Sequence, residues 1–222
     1  MRRRLLGVYD LLLARYGPQH WWPARGPFEV MVGAILTQSA AWGNVEKAID
    51  RLREAGALSP TALRQAPLSE VARLVYPSGY YNAKARKLRA LVDFLGERWG
   101  DDLSRLFALG VAELREELLS VYGIGEETAD SIVLYAAHRP IFVIDAYTRR
   151  ILGRLGLGTA ADGYGTWQAL FMEHLPGDAA LFNEYHALLV RHGKETCRRV
   201  PRCDGCCLRE GCPREGCPHP ES

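Results

Sequence analysis

Six cysteines fall between Cys197 and Cys217, and the 196 residues before them contain none. Thiolates are soft metal ligands, and cysteines gathered into one short stretch of a reduced protein point to a metal centre rather than a disulfide framework. A second stretch that can do chemistry is the turn Gly123-Ile124-Gly125, followed at once by Glu126 and Glu127. Glycines let a backbone take positive φ and approach a partner closely, and the free N–H groups of such a turn at a helix N-terminus can hold an anion such as a DNA phosphate without reading sequence. The same turn also reads as a plain helix–turn–helix connection. Twenty residues after Gly125, Asp145 closes the apolar run "IFVI" and opens "DAYTRR". It reads as a helix N-cap, and a capped carboxylate is also a rigidly held one, with Arg149 and Arg150 available for nearby phosphates.

The elements that must position these groups are helical. Apolar spacing predicts helices over 28–37, 44–54, 60–65, 68–75, 83–99, 111–121, 126–137, 146–155, 165–175 and 178–194, separated by breaks rich in Gly, Pro, Asn and Ser. Leu5, Leu6, Tyr9, Leu12, Leu13 and Tyr16 form one face of a further amphipathic helix. Leu114, Leu118 and Val121 lay an apolar stripe before the glycine turn and Ile132, Val133 and Ala136 one after it, so the turn joins a helix-hairpin-helix with Ile124 as the plug. Only "PIFVI" at 140–144 looks extended, and its isolation suits a buried connector. The tail after Cys197 is rich in Cys, Pro, Gly and Arg and cannot build a core, so something must staple it.

With 48% hydrophobic and 24% charged residues, the 222-residue chain has the balance of a soluble globular protein with one large domain or two small ones. The net charge of +2 gives no strong field for nucleic acid. Basic residues nonetheless cluster at Lys84, Arg86, Lys87 and Arg89, at Arg149, Arg150 and Arg154, and at Arg191, Lys194, Arg198, Arg199 and Arg202. Each cluster reads as a solvated face or as a contact for phosphates. Asp10 and Arg15 interrupt any signal-like run, and no stretch approaches the roughly 18 apolar residues of a membrane span. A cytoplasmic protein without a membrane partner is expected, and the low charge and lack of a spare apolar stripe favour a monomer.

The hairpin, the Asp on the following helix and the cysteine tail together resemble the endonuclease III family of helix-hairpin-helix DNA glycosylases. "PFEVMVGAILTQ" is similar to the family's first barrel helix, "GYYNAKA" to its intercalation loop, and "YHALLVRHGKETC…PRC" to the stretch leading into its iron–sulfur loop. The resemblance implies an all-α protein of two helical lobes that bind damaged double-stranded DNA in the cleft between them. One lobe is a six-helix barrel over 27–137 holding the hairpin. The other combines 1–26 with 138–222 and carries the cluster loop at 197–212. It also implies the ligand set Cys197-x5-Cys203-x2-Cys206-x5-Cys212, one residue shorter in its first spacing than the family commonly shows. Thiolates at uneven spacing suit a 4Fe-4S cluster; zinc is the rival, although its sites usually show two close pairs. Cys207 and Cys217 are left over, and Cys217 is an alternative fourth ligand.

The same resemblance assigns roles. Bifunctional members carry in the hairpin a lysine that attacks the sugar; here that position is Glu127, and a carboxylate cannot form a Schiff base. Successive helical residues diverge by about 100°, so Glu126 serves the helix dipole while Glu127 faces the flipped nucleotide. Asp145 becomes the catalytic carboxylate. Tyr80 becomes the wedge in the vacated stack, with Gln38 filling the gap and Ser39 beside it. Gly123, Ile124, Gly125, Arg149, Arg198, Arg199 and Arg202 contact the DNA backbone. Trp21, Trp22, Pro23 and Trp42, with Lys194, read as a base pocket or, for the aromatic residues, as a small apolar core between the lobes. Base stacking on such rings is worth about 1–3 kcal/mol, and a cationic alkylated purine gains further. "WWP" and "YPSGYYNAKA" are most similar to the small 3-methyladenine glycosylase branch, from which the cysteine loop departs. The expected function is a monofunctional DNA N-glycosylase acting on an alkylated purine such as 3-methyladenine. The alternatives are a mismatch, uracil or oxidised-pyrimidine glycosylase, and a DNA-binding protein without catalysis.

Overall fold

The computed structural model describes residues 1–159 and 161–213, which form twelve α-helices and contain no strand. The chain divides into two compact units, Trp22–Arg139 and Met1–Trp21 with Pro140–Ser222.

The central unit begins with α2 (Pro27–Leu36), a helix buried at every residue from Glu29 to Leu36. Such a helix is apolar all round and must sit at the middle of its neighbours. Its neighbours include α3 (Trp42–Glu54), α6 (Tyr81–Trp99) and the segment Ile132–Ala136. α3 shows ordinary amphipathic spacing, burying Val45, Ala48, Ile49 and Leu52. The short helices α4 (Pro60–Gln65) and α5 (Leu68–Leu74) pack on α6. The Ser59 hydroxyl caps α4, accepting from Ala62 N at 3.2 Å, and Pro60 supplies the first helical φ.

α7 (Leu103–Phe107) lies where the sequence shows only a break. The Asp102 carboxylate caps it, and Leu106 is its single buried residue, so one turn left no periodicity to detect. α8 (Val111–Leu119) and α9 (Glu126–Ser131) flank the hairpin. Beyond α9 the helix does not continue regularly to 137 but widens into a π turn over Ile132–Ala136, with Ala137 N donating to Ile132 O at 3.1 Å.

The other unit contains α1 (Arg2–Tyr16), α10 (Ala146–Arg154), α11 (Tyr164–Met172) and α12 (Ala179–Glu195). α12 packs on α1 and on α10, and the buried Tyr185 hydroxyl donates to Leu5 O at 2.8 Å. Residues 141–144 form the buried connector. Phe142 stacks on Phe171 at 3.6 Å between centroids, with Phe182 edge-on at 5.5 Å. This apolar plug ends one residue before Asp145. No helix among the described residues is long and apolar enough to cross a membrane.

Candidate functional site

In the central unit the chemistry gathers around the hairpin. Ile124 is buried between α8 and α9, while Tyr122 is 62% exposed beside it. Gly123 has φ +84, and a Cβ there would overlap the stem of Lys87, so conformation and close packing both require glycine. The Gln38 amide fastens the turn: its Nε2 donates to Gly123 O at 3.0 Å and to Thr128 Oγ1 at 2.9 Å. Lys87 Nζ in turn donates to Gln38 Oε1.

The two glutamates diverge as helical geometry requires. Glu126 pairs with Arg115 at 3.3 Å, and Arg115 also holds the buried Asp130 at 2.6 Å. Glu127 instead lines a recess of about 200 Å³ with Ala34, Thr37, Gln38, Ser39, Thr128 and Ser131. Three residues named from the sequence, Gln38, Ser39 and Glu127, therefore border one cavity.

Tyr80 is 75% exposed at φ +44, directly after Gly79 at φ +71. This strained corner is stapled from beneath. The buried Lys84 donates to Ser78 O at 2.7 Å and to Leu36 O at 2.8 Å, and burial pushes its pKa down to about 8, with Lys87 adding to the effect. The basic group at 84–89 is thus largely turned inward rather than forming a solvated face or a phosphate patch. Lys84, Lys87 and Arg89 all bond protein acceptors, the last the carbonyls of Leu63 and Ala66. Only Arg86 of the four is exposed.

Trp22 lies edge-on to Trp42 and against Tyr135, each at 5.4 Å, and covers Gly33, where a Cβ would come within 2.9 Å of its ring. Trp22 and Trp42, both half-buried, are brought together in an aromatic cluster with the buried Tyr135. Pro23 and Trp42 border a recess of about 470 Å³, separate from the one holding Glu127. Trp21 belongs to the other unit.

In that unit Asp145 caps α10, its Oδ1 accepting from Thr148 N at 2.7 Å. Its Oδ2 lies 3.7 Å from Nε2 of the buried His186 on α12. Burial pushes the His186 pKa down; Asp145 opposes this and Lys194 reinforces it. Lys194 is exposed near the end of α12. Arg149 sits over the Tyr164 ring at 5.9 Å. Arg150 is not free for phosphate: its guanidinium donates to Cys197 O and Gly193 O, each at 2.9 Å.

Cys197, Cys203, Cys206 and Cys212 line one small cavity with Ile151, Leu155 and Leu208. The buried Arg154 holds the loop, donating to Cys197 Sγ at 3.3 Å, to Arg198 O at 2.6 Å and to Arg199 O at 2.9 Å. Cys207 is absent from that lining, and burial pushes its thiol pKa up. Among the described residues no three His, Cys, Asp or Glu side chains converge to hold a single metal ion. Cys217 lies outside the described residues. Arg198, Arg199 and Arg202 are exposed on the same loop.

Sequence reasoning did not single out His186, the inward role of Lys87 or the anchoring role of Arg154. His186 sits within the apolar stripe of α12, and the two cations reach partners 49 and 43 or more residues away.

Residues 32–176 match the family described as the HhH-GPD superfamily base excision DNA repair protein. The chain is 42% identical over 207 residues to "Putative DNA repair glycosylase MJ1434" of Methanocaldococcus jannaschii, covering 92% of this chain and 94% of the relative. Among solved structures it is similar to H. pylori 3-methyladenine DNA glycosylase (MagIII) bound to 1,N6-ethenoadenine. That match has 27% identity and a TM-score of 0.76, over 87% of this chain and 97% of the other. A trapped endonuclease III–DNA covalent intermediate shares the fold, with a TM-score of 0.83 at 22% identity over 96% of each chain. Family match and relative agree over most of the sequence: the chain belongs to the HhH-GPD superfamily of base excision DNA repair proteins.

Proposed function

We propose that this DNA glycosylase is monofunctional, flipping a damaged base out of double-stranded DNA and hydrolysing its N-glycosidic bond without a covalent link to the sugar. The observation that carries the reading is the recess beside the hairpin, where a carboxylate from Glu127 stands among amide and hydroxyl side chains. An amine at that point would be a Schiff-base nucleophile; a carboxylate is not. A carboxylate also favours a cationic base, so the proposed substrate is an alkylated purine such as 3-methyladenine. Such a base already carries positive charge and leaves without a strong general acid. The likeness to MagIII supports the same class. Asp145, oriented by its cap, stabilises the developing oxocarbenium charge and orients or deprotonates the attacking water. The amides of Gly123–Gly125 hold a backbone phosphate, Tyr80 enters the vacated stack, and Arg149, Arg198, Arg199 and Arg202 add phosphate contacts.

Cys197, Cys203, Cys206 and Cys212 are the proposed ligands of a 4Fe-4S cluster. Their donor set, four thiols lining one cavity with a guanidinium beside Cys197, fits such a cluster, which these four side chains would hold. When bound, the group would supply a structural cross-link for a loop that has little core of its own.

The test is a panel of duplexes, each with one lesion, incubated with the protein and analysed with and without alkali. Strand breaks that appear only after alkali, strongest for an alkylated purine, are the expected result. Breaks without alkali would overturn the monofunctional reading, and a uracil or oxidised-pyrimidine preference would overturn the substrate.

A further inference from the structure

We propose that Lys87 is a positioning residue for the hairpin and for the adjoining recess, acting through the side chain of Gln38. The inference rests on the glycosylase reading for its functional meaning, but its geometry stands alone. Lys87 touches the hairpin twice. Its aliphatic stem packs where a Gly123 Cβ would be, and its Nζ reaches the Gly123 carbonyl indirectly, through the Gln38 amide.

The two ends of a glutamine amide are alike in shape and opposite in hydrogen bonding. A lysine amine that donates to Gln38 must face Oε1, which leaves Nε2 toward Gly123 O and Thr128 Oγ1. A half-turn of the amide would set Nε2 against the Lys87 amine and Oε1 against the Gly123 carbonyl, so both partners select the same orientation. Among the described residues Lys87 supplies the only donor to Oε1 and, with the Gly123 carbonyl, holds Gln38 in that orientation. Gln38 and Thr128 both line the recess that contains Glu127, so the same three hydrogen bonds set the turn and one wall of the cavity.

An apolar side chain would pack on Gly123 equally well, and bringing an amine into a half-buried site carries a desolvation cost. The amine therefore has a use that packing does not supply, and orienting Gln38 is the use its contacts define.

The test is a double-mutant cycle of Lys87→Met, which keeps the stem, with Gln38→Ala in the full chain. The first measurement is amide hydrogen exchange of residues 121–129 in the free protein. The second is preference for a duplex with one tetrahydrofuran abasic analogue over the intact duplex, by competition. Lys87→Met should speed exchange of the hairpin and weaken the preference about fivefold, the scale of one net hydrogen bond. It should add nothing in the Gln38→Ala background, and Lys87→Arg should retain most of the preference. If Lys87→Met fails to fold, Lys87→Leu takes its place with the same expectation. Additive effects of the two substitutions, or a silent Lys87→Met, overturn the inference. A wild-type protein with no preference for the abasic duplex would count against the glycosylase reading instead, and the exchange arm would still decide the role of Lys87.

Discussion

Asp145 and His186 face each other across 3.7 Å, the carboxylate at the N-cap of α10 and the imidazole buried in α12. The other carboxylate oxygen accepts from Thr148 N, and this cap bond orients the side chain. Burial keeps the imidazole pKa below its ordinary 6.5. Between the folded value and 6.5 the unfolded chain binds a proton that the folded chain does not, and stability therefore falls as pH is lowered below about 6.5. One such proton contributes a slope of up to ~1.4 kcal/mol per pH unit. His192, pushed down to about 4 by burial, contributes in the same window, so urea unfolding between pH 5 and 7 should show both protons and His186→Gln should remove one of them. An unchanged slope in that variant would assign the acid sensitivity to other groups.

Asp145→Asn separates chemistry from capping, because Asn caps a helix as well as Asp. Base release from the lesion identified by the panel should fall at least about 100-fold, the scale of removing one electrostatic stabiliser. Affinity for lesion duplex should stay near wild type. Turnover equal to wild type would remove Asp145 from the catalytic role.

Glu127→Lys would put an amine into the recess now bordered by the carboxylate. Borohydride should then trap this variant covalently on lesion DNA, while the wild-type protein is not trapped. Its base release should also decline, since a cation there repels a charged base and the oxocarbenium. Efficient trapping of the wild type would show that another amine reaches the sugar.

Arg154→Met removes the donor to Cys197 Sγ and leaves the carbonyls of Arg198 and Arg199 without it. Each of these part-buried hydrogen bonds is worth about 0.5–1.5 kcal/mol, so the loop should loosen and hold the proposed cluster less well. Aerobically purified variant should carry less iron per chain and weaker visible absorbance than wild type, and Arg154→Lys should fall between them. Wild-type protein containing zinc in place of iron would overturn the four-iron proposal.

The helices were legible because burial leaves a periodic trace. Val45, Ala48, Ile49 and Leu52 mark the inner face of α3, and the change from "IFVI" to "DAYT" marks both the connector and the cap at Asp145. What escaped detection lacks such a trace. α7 is a single capped turn with one buried residue. The π turn differs from α-helix by one hydrogen-bond step, which no side-chain pattern records. Long cations are the hardest case. Lys84, Lys87, Arg89, Arg150 and Arg154 have the composition of a surface, yet they reach carbonyls, a side-chain amide and a thiol far along the chain. Their flexible stems let a charged head end a long way from where a helical wheel would put it. In the candidate site the sequence draws attention to Gln38, Ser39 and Glu127, which border one recess, whereas the tie from Gln38 to the hairpin depends on a contact across 85 positions.

The π turn at Ile132–Ala136 bears on insertions and deletions. All five of its residues are buried, and Tyr135 lies 5.4 Å from Trp22. The π turn closes one residue later than an α turn, so loss of one residue would return the backbone to ordinary helical spacing with the flanking side chains facing as before. Gain of one residue has no such outlet, because each added helical residue turns the chain by about 100°, and a different side chain would then meet Trp22 and α2. The segment should therefore tolerate exchange of Ile132 or Val133 for another aliphatic residue, and loss of a single codon, better than gain of one.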